Sequence, residues 1–443
     1  AGIAKPRKLS VNELNNTLND FLGFPLEVSV AKAQETPVET SVVKKILPID
    51  PPGLSGFEND THNNPLTNSY WESLSYIFDF AIEELFSKQN TKYLERYTGK
   101  LNSQKWTWEQ SEKLIRNALP KIYRRHLNES ELKSILSNLN KQQPNKDELK
   151  FELKTAFMSP RFLFRSFSMS VNEGQHPVDA YELAERISYF LWESMPDDEL
   201  LNRAKDKTIL KPEVQIQQIT RMLKDDRSKN LSEHFAYQWF SLSEIDHSDG
   251  RFPYIQSLIQ QPIDFFNYLI QEDRPLIEIV DSKVTYANHL LKKFYQKDAA
   301  QINPYNRTQG IEMVFTNLNK INLEKTQNRG GLLTMPGILA MNAAKNRTSP
   351  VLRGTWILEK IIGDHLPDPP MDVNPVPPNK KGETLSFRER FEKHRSDTNC
   401  AVCHNKIDPL GFSLEAFDAK GIYRTKIQLD KKTKIDVDAK GDF

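Results

Sequence analysis

Two cysteines occur among the 443 residues, three positions apart, in the run Cys400-Ala401-Val402-Cys403-His404. Two thiols at this spacing with a histidine directly after them read as C-x-x-C-H, the attachment signature of a c-type haem. On one helical turn the thiols are placed to form thioethers with the two haem vinyl groups, and His404 to bind the iron from one face. Half of a structural zinc site is the competing chemistry. Such sites close with four Cys or His ligands, however, and no second cysteine pair exists. A thioredoxin-like redox pair would expect a βαβ surround, which the neighbouring sequence lacks. One covalently attached haem c is the expected cofactor, held by Cys400, Cys403 and His404.

The second axial position is harder to assign. None of the residues from Asn405 to Phe443 is Met or His, so such a ligand must come from upstream or from another chain. Otherwise the position is open, or held by a weaker ligand such as Tyr423 or a lysine. Met335, Met341, His365, Met371 and His394 are the upstream residues of the right type, and the distal candidates are Met335 and His394. Met335 sits in the turn-rich run Gly330-Gly331-Leu332-Leu333-Thr334-Met335-Pro336, and His394 six residues before Cys400. Buried methionines are commonly core residues, and His394 could serve a propionate instead. A backbone carbonyl near Pro409 is the expected acceptor for the free N–H of His404. Arg347, Arg353 and Arg395 are candidate propionate partners.

A covalent haem implies attachment outside the cytoplasmic membrane, so a periplasmic or cell-envelope location is expected. The chain begins Ala1-Gly2-Ile3-Ala4-Lys5 without a charged-then-apolar segment, consistent with a removed leader. The most apolar stretch, Gly331 to Ala344, is too short to span a bilayer. With 60 Lys+Arg against 59 Asp+Glu the net charge is +1, which gives no electrostatic case for a nucleic-acid partner.

The elements that must position these residues read as helices. Few glycines (17), 38% hydrophobic residues and apolar positions three and four apart predict a mainly α protein. Helices are expected over 9–22, 69–85, 106–127 and 145–164, from the capping box at Asn128 to Glu131, over 179–193, as one or two long helices over 212–242, and over 384–394. Six prolines between Pro367 and Pro378 read as a stiff connector. The tail from Ile422 onward alternates enough for a hairpin. The expected organisation is an N-terminal helical domain (1–90), a central helical domain (91–300), a connecting domain ending in the proline run (301–382) and a small C-terminal haem-binding cytochrome domain (383–443).

Other constellations read as structural. Glu58, Asn59, Asp60, His62, Asn63 and Asn64, and Asp436, Asp438 and Asp442, supply oxygen donors without EF-hand spacing, so solvated loops are expected. Asp197-Asp198 reads as a helix start. Tyr237, Trp239 and Phe240 read as core, and Lys431, Lys432 and Lys434 as a solvated run. No catalytic acid, base or nucleophile is identified.

The run from Cys400 through Asn405-Lys406-Ile407-Asp408-Pro409-Leu410-Gly411-Phe412-Ser413-Leu414-Glu415-Ala416-Phe417-Asp418 resembles the C-terminal haem segment of the planctomycete-type cytochrome c proteins. Asn346-Arg347-Thr348-Ser349-Pro350-Val351-Leu352-Arg353-Gly354 is similar to the domain before it. Met158-Ser159-Pro160-Arg161-Phe162-Leu163 and Leu191-Trp192-Glu193-Ser194-Met195-Pro196-Asp197-Asp198-Glu199-Leu200 resemble the central domain. Arg7-Lys8-Leu9 with Glu13 and Asn15-Asn16-Thr17 resembles the N-terminal one. The resemblance implies an exported bacterial haem protein with a redox role, associated with carbohydrates but with no assigned reaction. Many members carry a further N-terminal C-x-x-C-H, which this chain does not have, and the last domain usually runs beyond Phe443. At the position of Met335 the family accepts Met or His.

Three functions are weighed. The first is electron transfer with a redox partner protein, coupled to an unidentified oxidoreductase reaction. The second is a haem enzyme with an open iron acting on a small molecule or carbohydrate, and the third a haem-containing scaffold subunit of a larger complex. The helical bulk exceeds what one haem requires, which favours a substrate or partner surface beyond a bare relay.

Overall fold

The computed structural model describes residues 6–28, 39–53, 55–61, 66–101, 105–165, 178–245, 252–304, 318–325, 328–344, 347–366, 385–396, 398–428 and 433–441. The proline run with Met371, the residues His62 to Asn64, Asn346, Lys431, Lys432 and Asp442 lie outside them. The chain is mainly helical, with only short antiparallel strand pairs. It divides into two compact units, 1–231 and 232–443, a coarser division than the four segments read from the sequence. Among the described residues no helix is long and apolar enough to cross a membrane.

In the first unit the N-terminal motif is a structural clamp. Ser10 and Glu13 form a capping box that starts helix Val11–Leu22, and Gly23 ends it at φ 81°. Glu13 is buried, and its carboxylate takes two hydrogen bonds from Arg7, at 2.7 and 2.9 Å, with Arg165 at 3.5 Å. Strand Arg7–Lys8 pairs with Phe164–Arg165, so this ion cluster joins the start of the unit to the end of the Pro160–Leu163 turn. The Asn15-Asn16-Thr17 run is also structural: the Ser41 hydroxyl donates to Asn15 at 2.7 Å, and the Thr17 and Tyr189 hydroxyls meet at 3.0 Å.

Helices Asn68–Phe86, Trp108–Ile122 and Lys146–Phe157 pack their apolar faces on Leu14, Leu18 and Phe21. Asn128 and Glu131 form the expected capping box. The helix expected over 145–164 breaks at Ser159-Pro160, because a proline cannot donate into the preceding turn. Arg124 then donates to the freed carbonyls of Arg161, Phe162 and Phe164 at 2.8–3.0 Å.

The second central motif is a helix stop followed by a helix start. Helix Ala180–Trp192 ends at Glu193 in the left-handed region, φ 51°. Trp192 is buried, and its ring centroid lies 3.5 Å from the Arg227 guanidinium. Asp197 caps Asp198–Lys205 by accepting from the Leu200 N–H, and Arg221 holds its carboxylate at 2.7 Å. Where one or two long helices are expected over 212–242, the chain forms Pro212–Leu223, a short 3-10 turn, a π-helical stretch (Leu231–Ala236) and one further turn. Apolar periodicity continues across those breaks, so periodicity alone could not locate them.

In the second unit the aromatic run forms core. Phe240 packs edge-on to Phe266 and tilted against Trp239 and Trp356, and the Trp239 and Trp356 indoles donate to the Lys360 and Phe240 carbonyls. The tail forms the hairpin Lys426–Gln428 with Lys434–Asp436, paired antiparallel. Arg329 is buried and ties three segments together through the Phe294, Thr334 and Gly421 carbonyls.

Candidate functional site

Cys400, Cys403 and His404 share one helix, Thr398–Phe412. At i, i+3 and i+4 they lie on one helical face. Both thiols are unbonded and partly exposed. The helix is held by its neighbour, Pro350–Trp356, which carries the Arg347-to-Gly354 motif. Ser349 caps that neighbour and Pro350 occupies its first turn. The two helices meet backbone to backbone at two glycines, one helical turn apart on each. A Cβ on Gly354 would stand 2.1 Å from the Ile407 carbonyl oxygen, and one on Gly411 would stand 1.8 Å from that of Pro350.

Arg353 completes this grip. It is 1% exposed and donates to the carbonyls of Leu414, Phe417 and Asp418, each at 2.8 Å, in the turn that follows the cysteine helix. Burial lowers its pKa to about 10, against the charge of Glu415. The expectation that Arg353 serves a propionate is corrected by this geometry, because its guanidinium is engaged by backbone carbonyls inside the fold.

The second partner of His404 also differs from the expectation. Its Nδ1 lies 2.9 Å from Asp408 Oδ1, a side chain rather than a backbone carbonyl. Asp408 is 0% exposed, one helical turn beyond His404, with Arg395 Nε 3.7 Å from its other oxygen. The helix continues through Pro409 to Phe412, and that continuation brings Asp408 onto the face of His404. The i, i+4 spacing was a visible signal, but a proline directly after Asp408 reads as a helix end.

Phe391 walls the ring, its centroid 5.7 Å from His404 at an interplanar angle of 62°, and it meets Phe412 edge-on at 5.5 Å. His394 also touches His404, edge to face, with centroids 5.1 Å apart. His394 is thus a direct ring neighbour of His404. Met335 is 1% exposed in the apolar core of the unit, in the segment whose Pro336 lies against Gly421. The structure thus brings His394, but not Met335, against His404.

The acidic tail cluster is spent elsewhere: Asp438 forms an ion pair with Arg388 Nε at 2.9 Å and the Asp436 side chain is 88% exposed. Among the described residues no three His, Cys, Asp or Glu side chains gather as a metal-holding group.

The donor set suits a covalent haem. Two unbonded thiols and an imidazole share a face, and a buried carboxylate occupies the nitrogen that an iron ligand leaves free.

Two family models match the chain. PSD4, a protein of unknown function (DUF1592), matches residues 178–296, and PSCyt3, a protein of unknown function (DUF1588), matches residues 329–427. The PSD4 match runs across the division between the two units. The PSCyt3 match spans the Arg347 motif, the cysteine helix and its caps. No curated protein and no solved structure matches.

Proposed function

From a chain that carries two planctomycete cytochrome-type domains of unknown function, we propose a c-type haem redox protein of the bacterial cell envelope. One haem is attached through Cys400 and Cys403, and His404 is the proximal ligand. Its role is electron transfer with a redox partner, coupled to an unidentified oxidoreductase reaction. The observation that carries this reading is the His404–Asp408 pair on the helix of the two thiols.

When bound, haem iron supplies one-electron chemistry at a potential set by its ligands and their hydrogen bonds. The chain's own residues do the rest. Asp408 Oδ1 accepts the Nδ1 proton of His404, which fixes the tautomer and leaves the Nε2 lone pair for a metal. Arg395 offsets the carboxylate charge. Phe391 covers one side of the ring.

Asp408→Asn keeps the shape but removes the negative charge that makes the imidazole a strong donor, so the oxidised iron loses support. The midpoint potential is expected to rise. A tenfold change in preference between the two oxidation states corresponds to about 59 mV for one electron. An unchanged potential in a spectroelectrochemical titration, with haem still attached, would remove the role given to Asp408.

A second reading, an iron open on its distal side, is favoured by the contact of His394 with the proximal ring and by the burial of Met335. Visible spectra of the purified chain test both. A pyridine-haemochrome spectrum of covalent haem is expected, and its absence would defeat the haem reading. Carbon monoxide that shifts the reduced spectrum at neutral pH selects the open iron, and an unshifted spectrum selects the six-coordinate relay.

A further inference from the structure

Beside the C-terminal end of the cysteine helix lies a cavity of about 350 Å³, within the size range of small-ligand sites. We infer that it binds a carboxylate through Arg347. Four guanidiniums from three segments line it: Arg347, Arg388 and Arg390 from helix Phe387–His394, and Arg424. Arg424 and Arg388 face carboxylates, and Arg390 has contacts of its own. Arg424 donates to Glu415 at 3.0 Å, and Arg388 Nε lies 2.9 Å from Asp438. The third lining acid, Asp436, has its side chain out in solvent.

The Arg347 guanidinium makes no hydrogen bond or ion pair among the described residues, yet it stands close enough to Arg390 for like charges to act. Burial, and then the charge of Arg347, hold the Arg390 pKa below its ordinary value. An anion held at Arg347 offsets that like-charge interaction.

The planar fork of Arg347 matches a carboxylate in two parallel hydrogen bonds. The rest of the wall favours an organic body over a bare inorganic ion, because Ile427 and Ile435 supply apolar surface. Phe412 meets Phe391, which meets His404, so the cavity is two ring contacts from the proximal ligand.

The carboxylate has two sources: a small free acid, or a propionate of the proposed haem. The second source rests on the haem reading and the first does not. Isothermal titration of the purified full-length chain with benzoate, and separately with inorganic phosphate, distinguishes them. Saturable benzoate binding that weakens at least tenfold in Arg347→Ala, and less in Arg347→Lys, supports a free acid. This outcome stands even for a chain whose spectrum shows no haem. No benzoate binding, but a midpoint potential moved by Arg347→Ala in a chain whose melting temperature is unchanged, supports a propionate. Benzoate binding indifferent to Arg347, phosphate binding of equal strength through Arg347, or neither binding nor a moved potential overturns the inference.

Discussion

Replacing Cys400 and Cys403 together with serine is expected to abolish covalently attached haem, leaving no haem band on a denaturing gel. A thioether forms only where a sulfur adds to a vinyl group, and a hydroxyl is too weak a nucleophile to replace a thiolate. Both side chains are partly exposed and neither is bonded to another protein group, so serine leaves no cavity behind. Folding of the described core should therefore survive, as far as it does not depend on the cofactor. His404→Ala separates attachment from ligation. It should keep the covalent band but lose the visible spectrum of an imidazole-ligated iron. Covalent haem that persists in the double serine variant would overturn the assignment. So would stoichiometric zinc in place of iron in the unaltered chain.

The second large effect concerns the helix crossing beneath the site. Gly411→Ala would place a methyl carbon 1.8 Å from the Pro350 carbonyl oxygen, and Gly354→Ala one 2.1 Å from that of Ile407. Both obstacles are backbone atoms, so neither clash is relieved by a rotamer change and the helices must separate. Separation pulls Arg353 off the carbonyls of Leu414, Phe417 and Asp418 and leaves those groups unpaired. Either substitution should cost about 3 kcal/mol or more, read as a lowered denaturation midpoint at unchanged slope. Asn405→Ala is the control on the same helix. Its side chain is exposed and alanine is the better helix former, so stability should stay within about 0.5 kcal/mol. A Gly411→Ala midpoint equal to that of the control would show that the helices do not meet as closely as described.

How much of this was legible in the sequence differs from motif to motif. The haem proposal for the C-x-x-C-H run rests on residue types and spacing alone, because the two thiols and the imidazole are neighbours in the chain. The helices over 11–22, 68–86, 180–192 and 387–394 follow from caps and apolar periodicity, which are also local. Asp408 carried its signal in the i, i+4 spacing. It was obscured by Pro409, whose tendency to end helices is overridden here by packing against Pro350–Trp356. Arg353 was out of reach for a different reason: its partners lie more than sixty positions away, and backbone carbonyls leave no trace in residue type. Breaks such as Ser159-Pro160 and the π-helical stretch from Leu231 are decided by which carbonyls find substitute donors.

What the sequence determined by itself was chemistry of short range: two thiols and an imidazole on one turn, a mainly helical chain, and a charge balance with no pull on nucleic acid. Only the tertiary structure decided which carboxylate holds His404, that His394 touches the His404 ring, that Met335 is core, and that the Arg347-to-Gly354 motif grips the cysteine helix. The physical reason is that ligation, capping and periodicity act within a few residues. Burial, close backbone approach and the pairing of charges depend instead on which distant segments meet.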